Sequence, residues 1–340
     1  MRFSRPKRLV PQNTKNYPTA ARLNPRLTLL NCVPYKQRSW DKSKYDATRS
    51  SNQIVNSPRL ISVIVTTYNQ PEWLTKVLWG YAQQTRSDFE LIVADDGSDD
   101  RTIDAIDYVR NHSDLQVEHV WHEDDGFRKC NILNKSISRA SGDYLLFSDG
   151  DCVPNNTFVA NHYRFAKRDT FLSGGCFNLP VSISQSLTVD DIESGRAFQW
   201  NFLRSQGLPW SRRYLRFVAG NYFANVLNRL TTTKPNWNGS NSSGWKDDIL
   251  AVNGFDERMK YGGLDRELGE RLENAGVHGK HIRFNTVVLH LDSARDYINE
   301  ADWARNLEIR QSVHDERRTW TDFGIRKTFG ESTEQLRRAA

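Results

Sequence analysis

The chain has 340 residues, 38% of them hydrophobic and 26% charged, with a net charge of +6. That length supports a sizeable core and one large or two ordinary domains, and no apolar run approaches the roughly 18 residues that a membrane span requires. Four cysteines, Cys32, Cys130, Cys152 and Cys176, are too few and too widely spaced for a disulfide framework or a CxxC zinc pair, and read as small core residues of a reducing compartment.

Residues 1–57 hold twelve Lys or Arg against Asp41 and Asp46, about +10, which leaves the remainder at about −4. Without periodicity and punctuated by Pro6, Pro11, Pro18, Pro25 and Pro34, this stretch reads as a loosely ordered basic extension. It has no apolar core of about 7 to 15 residues behind its first basic residues, so a secretory signal is not expected. The expected setting is cytoplasmic, with the arm attracted to the anionic inner face of a membrane. Nucleic acid is not an expected partner, because the arm lacks an interleaved aromatic platform for stacking bases.

The pattern then becomes regular. LISVIVTTYN, residues 60–69, is a β-branched run of the kind that parallel sheets bury on both faces. A helix follows, with Asn69 as cap, Pro71 in the first turn and Trp73, Leu74, Val77, Leu78 and Tyr81 at helical spacing. FELIVADDGS, 89–98, predicts the second strand, with Ser98 capping a helix that carries Ile103, Ile106 and Val109. VEHVWHE, 117–123, is a shorter strand, and a third helix over about 127–140 has Ile132, Leu133, Ile137 and Ala140 on one stripe before Gly142. DYLLFSDGDCVP, 143–154, is the fourth strand and breaks into two aspartates around a glycine.

This alternation predicts an α/β fold: a Rossmann-like, mostly parallel sheet with helices on both faces, binding ligands at the carboxyl ends of its strands. Thr66, Thr67 and Tyr68 end the first strand, Asp95 and Asp96 the second, Asp149 and Asp151 the fourth. Two carboxylates flanking Gly150 can converge on a hard divalent cation, Mn2+ or Mg2+, that holds a diphosphate. Farther on, a helix over Asp265 to Asn274 is entered from Gly262-Gly263, with Leu268 and Leu272 facing the core and Gly276 ending it. Residues 300–318 predict a charged terminal helix with Trp303, Leu307 and Val313 inward.

The segments ISVIVTTYN, FELIVADDGSDDRT, DDGFRKCNILNKSISRASGDYLLFSDGDCVP and LAVNGFDERMKYGGLDRELGERL, in this order over about residues 60–292, resemble the family-two glycosyltransferases with the GT-A fold. The resemblance implies a metal-dependent, inverting transfer of a sugar from a nucleotide sugar, a UDP-sugar first, to a glycan or lipid-linked acceptor in cell-surface polysaccharide assembly. It implies that Thr66 and Tyr68 flank the nucleotide, that Asp96 reads the base, and that Arg128 lies near the diphosphate. Asp149 would face ribose or metal, Asp151 would ligate the metal, and His290 would be a further ligand. Asp265 would be the catalytic base, although Leu264 stands where the family carries a glutamate. Trp237, Asn241 and Trp245 would belong to the acceptor loop.

The domains then run 1–57 for the basic extension, 58–295 for the GT-A domain and 296–340 for a C-terminal helical extension. Two other readings use the same sheet. A sugar-nucleotide pyrophosphorylase would need a glycine-rich loop where this chain has TTYNQPEW. A non-catalytic carbohydrate- or nucleic-acid-binding protein would have no need of both Asp149/Asp151 and Asp265.

Overall fold

The computed structural model describes residues 57–218, 221–291 and 299–327. The expected basic extension, apart from Ser57, lies outside the described residues, as do Cys32 and the expected boundary at 295–296. Strand β1 (Ile61–Thr67) is buried along its whole length, as its β-branched run requires. It pairs in parallel with β2 (Phe89–Asp95) and β4 (Tyr144–Asp149), and β2 pairs in parallel with β3 (Val117–Trp121). Helices α1 (Pro71–Ala82), α2 (Asp100–His112) and α3 (Lys129–Arg139) connect these strands.

Beyond β4 the pairing changes. Strand β8 (Ser242–Trp245) is antiparallel both to β4 and to β6 (Thr170–Ser173), and β9 (His278–His281) closes the seven-stranded order β3-β2-β1-β4-β8-β6-β9. A smaller sheet joins β5 (Cys152–Pro154), β10 (Val287–His290) and β7 (Gly175–Asn178), with β10 central. Short helices between β7 and β8 end in α4 (Asn221–Arg229); a short helix over Lys246–Ala251 comes after β8, and α5 (Leu264–Asn274) and α6 (Glu300–Asp315) follow.

Two apolar clusters divide along the period-two alternation of the strands. Val63, Val65 and Leu146 pack with Leu74 and Val77 of α1, whereas Ile64, Leu145 and Phe147 pack with Ile132 of α3, Leu268 of α5 and Ile309 of α6. Helix α6 therefore shares a core with the sheet's second face. No described helix is long and apolar enough to cross a membrane.

Several expected details differ. The N-cap of α1 is Gln70; Asn69 instead turns the chain at a φ of 48°. Asp99 caps α2 through the Arg101 N–H, while Ser98 Oγ accepts from the Asn69 N–H and so ties two strand ends together. Ile103 is exposed beside buried Ile106 and Val109. In α6 Val313 is buried, but Trp303 and Leu307 are 52% and 55% exposed. The buried stripe of that helix is Asn306, Ile309 and Val313, because Asn306 turns inward to bond the backbone ahead of α5.

Candidate active site

The carboxyl ends of β1, β2 and β4 open into a cleft of about 970 Å³ whose walls include Thr66, Tyr68, Asp96, Asp149, Asp151, Asp265 and His290. Register places Thr66 opposite Asp149, and Thr66 Oγ1 donates to Asp149 Oδ1 at 2.9 Å. The Gly150 N–H donates to the Thr66 carbonyl at 2.6 Å. A Cβ on Gly150 would stand 2.7 Å from that oxygen, so glycine is required by the approach of the β4 turn to β1.

The basic group above this acidic turn is Lys129, which the sequence reading passed over for its neighbour. Lys129, the first residue of α3, extends Nζ to within 2.5 Å of Asp149 Oδ1. Burial alone would lower its ammonium pKa, but Asp149, Asp265 and Asp151 outweigh that and hold it above the ordinary lysine value. Burial pushes Asp149 up, yet Lys129 and the Thr66 hydroxyl keep its carboxyl below the usual range. Arg128 turns away from the acidic pair: its guanidinium donates to the Glu123 carbonyl at 2.5 Å, and its backbone N–H donates to Asp96 Oδ2 at 2.9 Å. Placement at the first turn of a helix that points at the strand ends was the signal available for Lys129.

Asp96 is buried and its other oxygen lies 2.7 Å from His122 Nε2. Burial raises this carboxyl, against the pull of His122 and Arg128. Tyr68 is exposed at the cleft mouth and its hydroxyl donates to Asp124 Oδ2 at 3.0 Å.

Asp151 and His290 come together across the smaller sheet, where Cys152 of β5 is in register with His290 of β10. His290 Nε2 is 3.5 Å from Asp151 Oδ2, and ligand atoms of Asp151, Cys152 and His290 all lie within 4.8 Å of one another. Two donors 3.5 Å apart can share one ion with bonds of about 2.1 Å, so the residues fit a divalent metal. Burial raises the Asp151 carboxyl, Asp149 adds to the rise, and His290 opposes it. A cation there would remove that unfavourable crowding of charge. Asp149 Oδ1 is already engaged by Thr66 and Lys129, whereas Asp151 Oδ2 faces His290 Nε2.

Asp265 sits in the first turn of α5, after Gly262 and Gly263 at φ of 104° and 87°, conformations that favour glycine. Asn306 of α6 clamps this turn, its Nδ2 donating to the carbonyls of Lys260, Tyr261 and Gly262 at 3.0, 3.0 and 2.8 Å. A Cβ on Gly239 would lie 2.9 Å from Asp265 Oδ1. That oxygen is buried without a hydrogen-bond partner among the described residues. Burial pushes the Asp265 carboxyl up to about 6, with Lys129 pulling it down and Asp149 pushing it further up. A carboxylate with a raised pKa and one oxygen without a partner at a cleft wall is suited to accept a proton. Asp265 does not cap its helix; Gly263 holds that position. Leu264, where the family's glutamate would stand, is buried.

The expected acceptor residues separate. Trp237 is buried against Phe147 and Phe171 but reaches the cleft wall. Asn241 is buried in the fold, donating to the Gly175 carbonyl at 2.8 Å and lying 2.9 Å from His162 Nε2. Trp245 is buried against Tyr144, its indole N–H bonded to the Lys167 carbonyl. Asn241 and Trp245 therefore fill the interior; the aromatic groups at the cleft are Tyr68, Phe127, Trp237, Tyr261 and Trp303.

Residues 62–206 match the family model described as Glycosyl transferase family 2. Validoxylamine A glucosyltransferase of Streptomyces hygroscopicus subsp. jinggangensis is 32% identical over 232 residues, covering 64% of this chain and 52% of the relative. Chondroitin synthase of Escherichia coli is 23% identical over 248 residues, 65% of this chain and 33% of that one. The chain thus spans about half the length of the first of these relatives and a third of the second. A solved structure of GalNAc-T7 with UDP, GalNAc and Mn2+ shares the fold at a TM-score of 0.50, with 12% identity, covering 76% of this chain and 48% of that one.

Proposed function

The chain carries a family-two glycosyltransferase domain on the GT-A fold, and from that premise we propose that it is a metal-dependent, inverting transferase that moves a sugar from a nucleotide sugar, a UDP-sugar first, to a hydroxyl of a carbohydrate or lipid-linked acceptor. The observation that carries this reading is the convergence of Asp151 and His290 with Asp265 on one cleft, with the Lys129 ammonium drawn to the acidic groups of both. A role in polysaccharide assembly is supported by the likeness to a chondroitin synthase, and glycosyl transfer by the likeness to a validoxylamine A glucosyltransferase.

In this reading Tyr68 and Asp96 receive the nucleoside, the buried Asp96 carboxylate accepting from the base. Asp151 and His290 would hold the cation; their nitrogen and oxygen donors argue for manganese over the harder magnesium. Once bound, that cation supplies positive charge to the departing diphosphate. Lys129 supports the same charge and keeps Asp149 ionised. Asp265 takes the acceptor's proton as its oxygen attacks the anomeric carbon; the base and the leaving group act in one displacement, which inverts the centre. A general base of this kind contributes about 10²–10⁴-fold.

The test combines manganese titration with transfer. Asp151→Ala should lose manganese-dependent donor binding, whereas Asp265→Asn should bind donor like the parent and lose transfer by about 10²–10⁴-fold. Unchanged donor affinity in the first variant would overturn the metal assignment, and full transfer in the second would remove Asp265 as base.

A further inference from the structure

Helix α4 is turned inside out. Ala224 is buried, and Asn228 faces the protein, its side chain bonding Asn285 Oδ1 at 2.6 Å and accepting from the Phe284 N–H at 3.2 Å. Tyr222, Phe223, Val226 and the following Leu230 lie on the opposite arc and are exposed, Tyr222 and Leu230 at 77% and 69%. At 100° per residue these four span about a third of the helix circumference. Trp210, on the preceding loop, is also exposed at 64%. A helix that hides its small and amide side chains and presents its aromatic ones has its apolar partner outside the molecule.

The charge around this face identifies the partner. Between Glu193 and Asp247 the sequence holds eight Lys or Arg and no Asp or Glu. Arg212, Arg213, Arg229 and Lys234 of this stretch are exposed. Their neighbours are cationic too. Burial lowers the Lys280 ammonium, and Lys167 and Arg229 add to that; burial lowers the Arg216 guanidinium, and Arg283 and Arg213 add to that. Lys234 is paired with Glu273 at 2.8 Å, which leaves Arg212, Arg213 and Arg229 as the exposed cations around the face. Exposed aromatic and aliphatic side chains among these arginines match the requirements of an interfacial helix on anionic lipid: apolar groups enter the acyl boundary while Arg meets phosphate.

We propose that the α4 face, Tyr222, Phe223, Val226 and Leu230 with the surrounding arginines, docks on the surface of an anionic phospholipid bilayer. The chain runs from Leu230 through five residues to Asn236, the start of the Asn236–Ser240 wall of the cleft. Docking here would set the cleft close to the bilayer surface, where a lipid-linked acceptor presents its hydroxyl. The proposal rests on residues other than those of 1–57 and holds whether or not the donor chemistry is as proposed.

Co-sedimentation of the full chain with vesicles of equimolar phosphatidylglycerol and phosphatidylcholine tests it. The parent should bind these vesicles, bind pure phosphatidylcholine weakly, and lose affinity as salt is raised. The triple variant Tyr222→Ser, Phe223→Ser, Leu230→Ser should fall by about tenfold or more while keeping its thermal unfolding midpoint and its release of UDP from soluble donor. Arg212→Glu with Arg213→Glu should produce the same loss by charge alone, which keeps the test open if the triple variant unfolds. Parental vesicle binding in both variants would overturn the proposal and leave the membrane contact to residues 1–57. So would a parent that ignores vesicles and binds RNA, or that buries this face in a dimer seen by sedimentation and dissociated by the triple substitution.

Discussion

Asp265 needs its proton off to act as a base, and burial holds its carboxyl up to about 6. Transfer should therefore be weak below pH 5, rise as pH passes through about 6 and level off above it, read as kcat/KM against pH with free enzyme. Lys129 opposes the effect of burial, so Lys129→Met should move this acid limb to higher pH and also weaken manganese-dependent donor binding through Asp149. An acid limb that stays put in Lys129→Met would show that the ammonium does not set the state of the base. The carboxylates of this site were legible as residues: Asp149, Asp151 and Asp265 stand out against apolar flanks. Lys129 was not, because one of two adjacent cations faces the cleft and only the phase of α3 decides which. Asn241 and Trp245 failed for the opposite reason. Their loop reads as polar and aromatic, yet β8 is fully buried and draws them into the interior.

The turn before α5 illustrates what an element contributes. Gly262 and Gly263 permit the backbone path, but Asn306 of α6 holds it through three carbonyls. Asn306→Ala should destabilise the fold by about 1–3 kcal/mol through those unsatisfied groups, and should lower kcat more than donor affinity, since the turn carries Asp265, the proposed base. Equal kcat with a lowered unfolding midpoint would assign Asn306 to stability alone. Helices α1, α3 and α5 and the first four strands were readable from periodicity. Helix α6 was found, but its inward face was misread, because Trp303 and Leu307 are the larger apolar residues and the actual stripe begins with an amide. Trp303 lies over Gly262, where a Cβ would meet its ring at 2.4 Å, so it serves the cleft rim.

At the scale of the whole molecule, α6 and the segment after it are tied to the body of the α/β fold. Ile309 and Val313 are buried, Asn274 donates to the Val313 and Arg318 carbonyls, and Thr321 donates to buried Asp256. Removing the chain from residue 299 onward should lower the unfolding midpoint by roughly 10 °C or more, given about 1.5–3 kcal/mol for each buried aliphatic side chain and 2–4 °C per kcal/mol. An unchanged midpoint would show that this segment does not stabilise the rest of the fold. Beneath α5, Glu267 and Arg271 form a fully buried pair, joined at 2.6 and 2.7 Å, whose guanidinium also bonds the carbonyls of Val252 and Gly254. That pair joins the helix of Asp265 to the turn after the short helix Lys246–Ala251, a coupling invisible to local pattern. The sequence by itself determined the alternating α/β order, the buried strands and the acidic residues at their ends, because hydrophobic period and turn chemistry act over a few neighbouring residues. Only the tertiary structure decided which cation meets the acidic turn, which face of α4 looks outward, and how His290 and Asp265 reach the same cleft as Asp151. The last of these depends on strands and helices more than a hundred residues apart packing in one register.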